Sequence, residues 1–157
     1  MSDRTGRRAA VPLASVLTAD ALLHLFRATG STWPAADEKG LSHAVLGVEA
    51  PFTPPVLLPL AALLLTASGI VVAQSLRPRR VLRLGTLAAA AGLSLCALAG
   101  VHRVFAQDTS TVFHRLNLVL YTPLCALLCV AALRVARHRR PAASGFAARG
   151  EDAVRVR

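Results

Sequence analysis

The sequence predicts an all-α membrane protein, a four-transmembrane-helix bundle with both termini in the cytoplasm. Three observations favour this fold class. The 157 residues are 54% hydrophobic, only 17% of them are charged, and the apolar residues fall into four long blocks. Each block approaches the roughly 20 residues that a helix needs to cross a bilayer. The charged residues lie in short clusters between the blocks, as they do in membrane proteins.

Four crossings are predicted, over about 9–28, 56–76, 81–104 and 112–135. The second and third have interiors nearly free of charge, whereas the first and fourth also carry polar residues. The crossings make up a membrane domain over residues 9–136, preceded by a cytoplasmic N-terminal segment, residues 1–8. Residues 137–157 are small, polar and basic, so we expect a disordered cytoplasmic tail that cannot bury enough surface to fold.

The arginines set the expected orientation. They precede the first helix, fill the link between the second and third, and follow the fourth: Arg4, Arg7, Arg8, Arg77, Arg79, Arg80, Arg83, Arg134, Arg137, Arg139 and Arg140. The link between the first and second helices holds Lys39 against Asp37, Glu38 and Glu49. Because cytoplasmic loops are enriched in Lys and Arg, we expect both termini inside the cell and a multi-pass location in the plasma membrane.

The N-terminus has an alternative interpretation as a cleaved signal peptide. Arg7 and Arg8 precede an apolar run, and Ala19-Asp20-Ala21 resembles a cleavage site. The apolar run continues beyond that site through residues 22–26, which favours a transmembrane helix.

Composition and motifs also bear on partners and chemistry. The net charge of +10 does not indicate a nucleic-acid partner, because such proteins gather basic residues on one exposed face. No nucleotide-binding loop, zinc-peptidase motif or nucleophile elbow is present, so an enzyme is not favoured and no catalytic residue is assigned. Cys125 and Cys129, at i and i+4, could share a metal ion. No third ligand lies nearby in sequence, however, and buried thiols commonly serve as packing residues.

A polar stripe runs along the first predicted helix. Asp20, His24 and Arg27 lie at i, i+4 and i+7, within about 60° of one another on the helix surface. An isolated Asp near the bilayer centre costs roughly 2.5–3.5 kcal/mol. His24 and Arg27 are the neighbours that could offset this cost, so we expect the stripe to face other helices.

The fourth predicted helix carries a second stripe. His114, Asn117, Tyr121 and Cys125 share one face, and Pro123 leaves the carbonyl of residue 119 without its helical donor. The third helix ends in His102 and Arg103, and it carries a strip of small residues that would permit close helix contact: Gly85, Ala89, Gly92, Cys96 and Ala99.

The predicted orientation brings these polar residues to one depth near the extracytoplasmic surface. The candidate ligand-binding cluster is Asp20, His24, Arg27, Trp33, His102, Arg103, His114, Asn117 and Tyr121. Interfacial anchors or structural hydrogen bonding between helices is the alternative role for these residues. Asp20 favours a functional pocket, because it lies deepest and intramembrane ionisable residues are usually functional.

Two stretches of the chain resemble a known family. "HLFRATGSTWP" and "TVFHRLNLVLYTPLC" are similar to motifs of the DUF3995 family, small four-helix bacterial membrane proteins of unknown function. The earlier motif is matched by His24, Phe26, Gly30 and Trp33, and the later one by Thr111, Phe113, Tyr121, Pro123, Leu124 and Cys125. Asn117 stands where the family motif has Asp, and Thr122 where Ser is usual. The resemblance covers about residues 13–135, implies the four-helix topology and implies no activity.

Three functional hypotheses follow from these residues. In the first, the polar cluster binds a small anionic ligand, a lipid headgroup or a partner protein, with Arg27, Arg103 and Arg115 favouring the anion. In the second, His24 and His102 bind haem or a metal in a redox protein. In the third, Asp20 and His24 serve a homodimeric transporter or proton relay. The cofactor is unknown in each case, and the lipid bilayer is the expected partner, with a homo-oligomer or a membrane partner protein as further expectations.

Overall fold

The computed structural model describes residues 2–33, 35–106 and 111–137, which fold into helices joined by short connections. The helices are α1 (Ser2–Ala28), α2 (Glu38–Leu46), α3 (Pro54–Leu76), α4 (Arg80–Ala106), α5 (Val112–Leu116) and α6 (Thr122–Arg137). Between α5 and α6, Asn117–Tyr121 form a π-helical stretch, the π segment. The described ranges contain no strand, which confirms the predicted all-α class.

Four helical stretches are long and apolar enough to cross a membrane: Gly6–Ala28, Pro54–Leu76, Arg80–Phe105 and Val112–Arg137. Each agrees with a predicted crossing to within three residues at either end. The fourth crossing combines α5, the π segment and α6. The prediction of four crossings is therefore confirmed, and the chain is a multi-pass membrane protein.

The two ends of the chain relate differently to the predicted segments. Helix α1 begins at Ser2, so residues 2–8 of the predicted N-terminal segment form the first turns of this helix. Helix α6 ends at Arg137. The predicted tail, 137–157, lies outside the described residues beyond that arginine.

An apolar core joins the helices at one end of the bundle. Helix α1 packs against α3 and α6, and α4 packs against α6. The buried core comprises Ala10, Leu13, Ala14, Leu17, Val71, Ala90, Leu128, Ala132 and Val135. We call this end the arginine face, because the helix termini and the turn next to it carry Arg7, Arg8, Arg77, Arg79, Arg80, Arg83, Arg134 and Arg137.

Hydroxyl and thiol contacts tie the helices together further along the bundle. Thr18 Oγ1 of α1 lies 2.9 Å from Ser68 Oγ of α3, and the Ser68 hydroxyl is 3.1 Å from the Ala14 carbonyl oxygen. Ser94 Oγ of α4 lies 3.0 Å from Cys129 Sγ of α6. Hydrogen bonds between membrane helices contribute about 0.6 kcal/mol each on average, so these contacts fix helix register more than they add stability.

The opposite end of the bundle, the α2 face, is formed by the connection between α1 and α3, which the sequence did not predict to be helical. Asp37 caps α2 by accepting a 2.6 Å hydrogen bond from the Gly40 amide, and Gly47 ends the helix with a positive φ of 70°. Such a left-handed backbone conformation is readily adopted only by glycine. The connection is therefore a folded element rather than a slack loop.

Candidate functional site

The polar stripe on α1 has the geometry that its spacing predicts. His24 Nε2 lies 3.6 Å from Asp20 Oδ1, across one turn of the helix. The His24 side chain is 13% exposed and the Asp20 side chain 49% exposed. Asp20 lies eight residues before the end of α1, about 12 Å along the axis at 1.5 Å per residue. Among the described side chains, the imidazole of His24 is the one group within ion-pair distance of this half-open carboxylate, and it is a cation only when protonated.

Arg27 occupies the most constrained position in the stripe. The residue is only 8% exposed, and its guanidinium carbon lies 5.6 Å from the centre of the Phe52 ring, at the end of the α2 connection. Its Nε has no hydrogen-bond partner, and within the described part of the chain no carboxylate lies within ion-pair distance. The guanidinium is therefore buried beside an aromatic ring, and none of the described side chains gives it a counter-ion.

The π segment forms where Pro123 interrupts the fourth crossing. Proline has no amide hydrogen, so the usual i→i−4 bond is missing at residue 123. The chain widens there, and the Thr122 amide donates to the Asn117 carbonyl, five residues back. The sequence predicted a carbonyl without its helical donor at residue 119, and the structure has a π turn over that stretch, a feature that often marks functional sites.

Asn117 uses the π segment to join α4 to α6. Its Nδ2 donates to the Gly100 carbonyl at 2.7 Å, and its Oδ1 accepts from the Thr122 hydroxyl at 3.1 Å. Asn117 is 4% exposed, so both groups of its amide are satisfied in a buried setting. A Cβ at residue 100 would overlap the Thr122 hydroxyl and lie 3.0 Å from Asn117 Oδ1. The close approach of α4 to the π segment thus requires glycine at this position.

Arg103 ties the α2 connection to the bundle. Its Nη1 donates to the Leu46 carbonyl at the end of α2, and its guanidinium carbon lies 5.6 Å from the centre of the Phe113 ring in α5. Helix α2 also packs against α5. One arginine therefore links three elements, and its charge is directed at a helix carbonyl rather than at a ligand.

The α2 connection is stabilised by its own polar contacts. The buried Ser42 hydroxyl donates to the Val48 carbonyl at 2.6 Å and accepts from the Ala50 amide at 2.7 Å. Glu38 Oε1 accepts from the Phe52 amide at 2.7 Å. These bonds fix residues 48–52, and so they fix the Phe52 ring that lies against Arg27.

His114 lies at the same end of the bundle, on α5. It is 8% exposed, and its Nδ1 has no hydrogen-bond partner. His24 Nδ1 on α1 is likewise buried and unpartnered. Together with Arg27 Nε, these two imidazole nitrogens make three unpartnered buried atoms in the described residues. Each such atom costs about 1–3 kcal/mol, so three of them are a notable concentration in a small protein.

The remaining predicted site residues occupy different positions. Tyr121 is half-buried, within electrostatic range of Arg27 and Asp20. Trp33 is 69% exposed, and His102 is exposed on α4. The structure thus gathers the α1 stripe, Phe52 and Tyr121 in one region, and it places Trp33 and His102 on the outer surface.

Several residues at this end of the bundle were not identified from the sequence. They are Gly100, Phe52, Leu46 and Thr122, which contact Asn117, Arg27 or Arg103. Phe52 is the one with a visible signal, since it is the single aromatic residue just before the second crossing. Gly100 and Leu46 act through backbone carbonyls or through the absence of a side chain, for which residue type gives little indication, and Thr122 acts through a hydroxyl whose partner lies five residues back along the chain.

The described residues place no three His, Cys, Asp or Glu side chains together as metal ligands. Cys96 is exposed, and Cys125 and Cys129 are partly buried free thiols. What this part of the chain does offer is a cationic and imidazole-rich region, suited to binding an anion or a hydrogen-bond acceptor.

The fold and this region define a four-span helical membrane protein with a polar site below its α2 face. The chain belongs to the DUF3995 family, described as a protein of unknown function, whose sequence profile matches residues 17–132. The match runs from the middle of α1 into α6, so it covers the second and third crossings, about half of the first and most of the fourth, which confirms the resemblance found in the two motifs. No curated protein and no solved structure matched the chain.

Proposed function

We propose that this protein binds a small anionic group, a phosphate or a carboxylate, at a site formed by Arg27, His24 and Tyr121 below the α2 face. The observation that carries the proposal is the buried Arg27 guanidinium, which has no counter-ion among the residues that the structure describes. The positive-inside rule favours a location in the plasma membrane with the arginine face on the cytoplasmic side. The site then opens toward the extracytoplasmic side.

Charge is the first part of the argument. A buried ion that is neither paired nor fully hydrogen-bonded is costly, and buried charges in proteins are normally compensated. The Phe52 ring supplies a cation–π contact of about 0.5–2 kcal/mol. That contact leaves Arg27 Nε without an acceptor. A phosphate or carboxylate oxygen would supply the acceptor and the counter-charge together, since guanidinium pairs with such groups in a forked geometry.

Hydrogen bonding is the second part. The unpartnered Nδ1 of His24 lies one helical turn from Arg27, and an imidazole N–H there would donate to an anion. Tyr121 of the fourth crossing is half-buried and within electrostatic range of Arg27. Asp20 Oδ1 lies 3.6 Å from Nε2 on the other side of the His24 ring, so a protonated imidazole would direct one N–H at Asp20 and the other at the anion.

The test separates a free anion from a lipid headgroup. The protein is purified in mild detergent, stripped of lipid, and its thermal unfolding is followed with added phosphate, acetate or phosphatidylglycerol, with phosphatidylcholine as reference. Stabilisation by phosphate or acetate alone identifies a soluble anion. Stabilisation that needs phosphatidylglycerol identifies a headgroup. No anion-dependent stabilisation of the wild type would overturn the proposal.

Matched variants assign the effect to the site. Arg27→Gln removes the charge and should abolish the anion-dependent stabilisation, and Arg27→Lys should retain part of it. Arg115→Gln is the control, because Arg115 is an exposed arginine on the fourth crossing, at the same end of the bundle as Arg27. Equal anion responses in Arg27→Gln and Arg115→Gln would show that the anion binds elsewhere.

A further inference from the structure

We propose that the groove between α3 and α4 binds one anionic phospholipid from the leaflet at the arginine face. In this arrangement an acyl chain lies in the groove and the headgroup phosphate meets the arginines of the α3–α4 turn. This site lies at the end of the bundle opposite to the polar site, and it does not depend on the function proposed for that site.

The groove is apolar and open. Its volume is ≈ 410 Å³, and its walls include Leu60, Leu63 and Ile70 of α3 and Gly85, Gly92 and Cys96 of α4. Thr66 also lines it, but the Thr66 hydroxyl is occupied by a 2.7 Å bond to the Ala62 carbonyl of its own helix. The lining therefore offers a ligand almost no polar group, as expected of a surface that contacts hydrocarbon.

The small residues of α4 leave this groove unfilled. The sequence predicted that they would permit close helix contact, and Gly85 does lie against Ile70, whose Cγ2 would be 3.0 Å from an added Cβ. At Gly92, one and a half to two turns further along, an added Cβ would meet no atom within 4 Å. The helices meet near the arginine face and leave an open channel beyond it.

A second cavity of ≈ 670 Å³ lies next to the groove, at the arginine face, and Ala73, Leu82, Arg77 and Arg79 are among the residues that line it. Ala73 lies one turn after Ile70 of the groove, and Leu82 one turn before Gly85. Just past the contact of Gly85 with Ile70, the groove is thus followed by a cavity that two arginines line.

The charges at this mouth have no ion-pair partner in the described part of the chain. Arg77 and Arg79 are exposed, as are Arg80 and Arg83 at the start of α4. Among the described side chains, neither of the two ion pairs involves an arginine of this turn. Basic clusters beside membrane helices attract anionic headgroups, and basic pockets between helices bind them.

Length also fits one acyl chain. From Gly85 to Cys96 the groove follows eleven helical steps, about 16 Å at 1.5 Å per residue. This is about half of the roughly 30 Å hydrocarbon core, the depth of one leaflet. When the headgroup lies at the α3–α4 turn, the acyl chain of the same lipid can therefore extend along the full length of the groove.

A second copy of the chain is a poorer occupant. Two copies that packed through this groove in the same membrane orientation would bring the arginines of both α3–α4 turns together. Like charges placed face to face disfavour such an interface. A phospholipid reverses the sign of that interaction.

The headgroup test is native mass spectrometry of the full chain released from nanodiscs of phosphatidylglycerol and phosphatidylcholine with identical acyl chains. Arg77→Gln/Arg79→Gln is compared with Arg134→Gln/Arg137→Gln, which removes two arginines from the same face away from the groove. Each arginine near an anionic surface contributes about fivefold in affinity, so the first pair should lose on the order of 30-fold preference for phosphatidylglycerol. Equal preference in the two double variants would overturn the proposal.

The acyl-chain test fills the groove. Gly92→Leu places a side chain in it, whereas Gly69→Leu places one on an open stretch of α3 that does not line the groove. The expected result is loss of the bound phosphatidylglycerol in Gly92→Leu alone, with Arg27→Gln behaving as wild type. Retention of the lipid in Gly92→Leu, or a wild-type dimer that Gly92→Leu dissociates without loss of lipid, would overturn the proposal.

Discussion

Asn117 Nδ2 donates to the Gly100 carbonyl at 2.7 Å, and this bond joins α4 to the π segment across the membrane domain. The Oδ1 of the same asparagine accepts a hydrogen bond from the Thr122 hydroxyl. A buried amide therefore links three backbone regions where Pro123 has weakened the helix. The site below the α2 face rests on this joint, because Tyr121 is the last residue of the π segment.

Gly100→Ala should destabilise the protein by about 1–3 kcal/mol, because the added methyl overlaps the Thr122 hydroxyl. Gly92→Ala is the matched control in the same helix, where an added Cβ meets open space and stability should change by less than about 1 kcal/mol. Thermal unfolding in detergent measures both. Equal stability of the two variants would mean that α4 does not approach the π segment this closely.

Asn117→Asp should also destabilise the protein, although Asp occupies this position in the motif that the chain resembles. The carboxylate keeps an acceptor for Thr122 but loses the donor to the Gly100 carbonyl, at a cost of about 1–3 kcal/mol. Thr122→Ser keeps the hydroxyl and should stay within about 0.5 kcal/mol of the wild type. The comparison fails if Asn117→Asp is as stable as Thr122→Ser.

Arg103→Gln should loosen the α2 connection without unfolding the bundle, because it removes the donor to the Leu46 carbonyl and the contact with Phe113. Hydrogen exchange at residues 41–50 should accelerate, while α3 and α6 should stay as protected as in the wild type. His102→Gln, at the exposed neighbouring residue, should change nothing. Unchanged exchange in Arg103→Gln would show that α2 is held by other contacts.

Orientation in the membrane can be tested by labelling intact cells. Glu49 is exposed on the α2 face, and Arg79 is exposed on the arginine face. A membrane-impermeant maleimide should label Glu49→Cys and not Arg79→Cys, because cytoplasmic loops carry the positive charge. The wild type, with its three cysteines inside the crossings, gives the background. Labelling of Arg79→Cys alone would reverse the orientation.

The crossings could be predicted from the sequence because apolar length is a property of one segment and needs no knowledge of its neighbours. The contact of Asp20 with His24 was likewise predictable, since a spacing of four residues places two side chains on one helix face. The opening before Pro123 followed from a missing amide. These features depend only on local covalent structure.

The rest of the site depends on contacts between distant segments. Gly100 is required because Thr122 approaches it, 22 residues away, and Leu46 contributes a carbonyl, which every residue type possesses. Depth alone predicts His102 as a member of the cluster. Two residues after Gly100, however, it points about 200° around α4, away from the π segment. A residue reaches the site only where both its depth and its direction are right.

An experimental structure of the protein extracted with its native lipids would show whether an anionic group lies against Arg27. The quantity to measure is the distance from Arg27 Nε to the nearest acceptor. We predict a phosphate or carboxylate oxygen of a bound molecule at about 2.7–3.2 Å. Arg27 Nε bonded to an oxygen of the protein itself, with the guanidinium paired within the chain, would contradict the account.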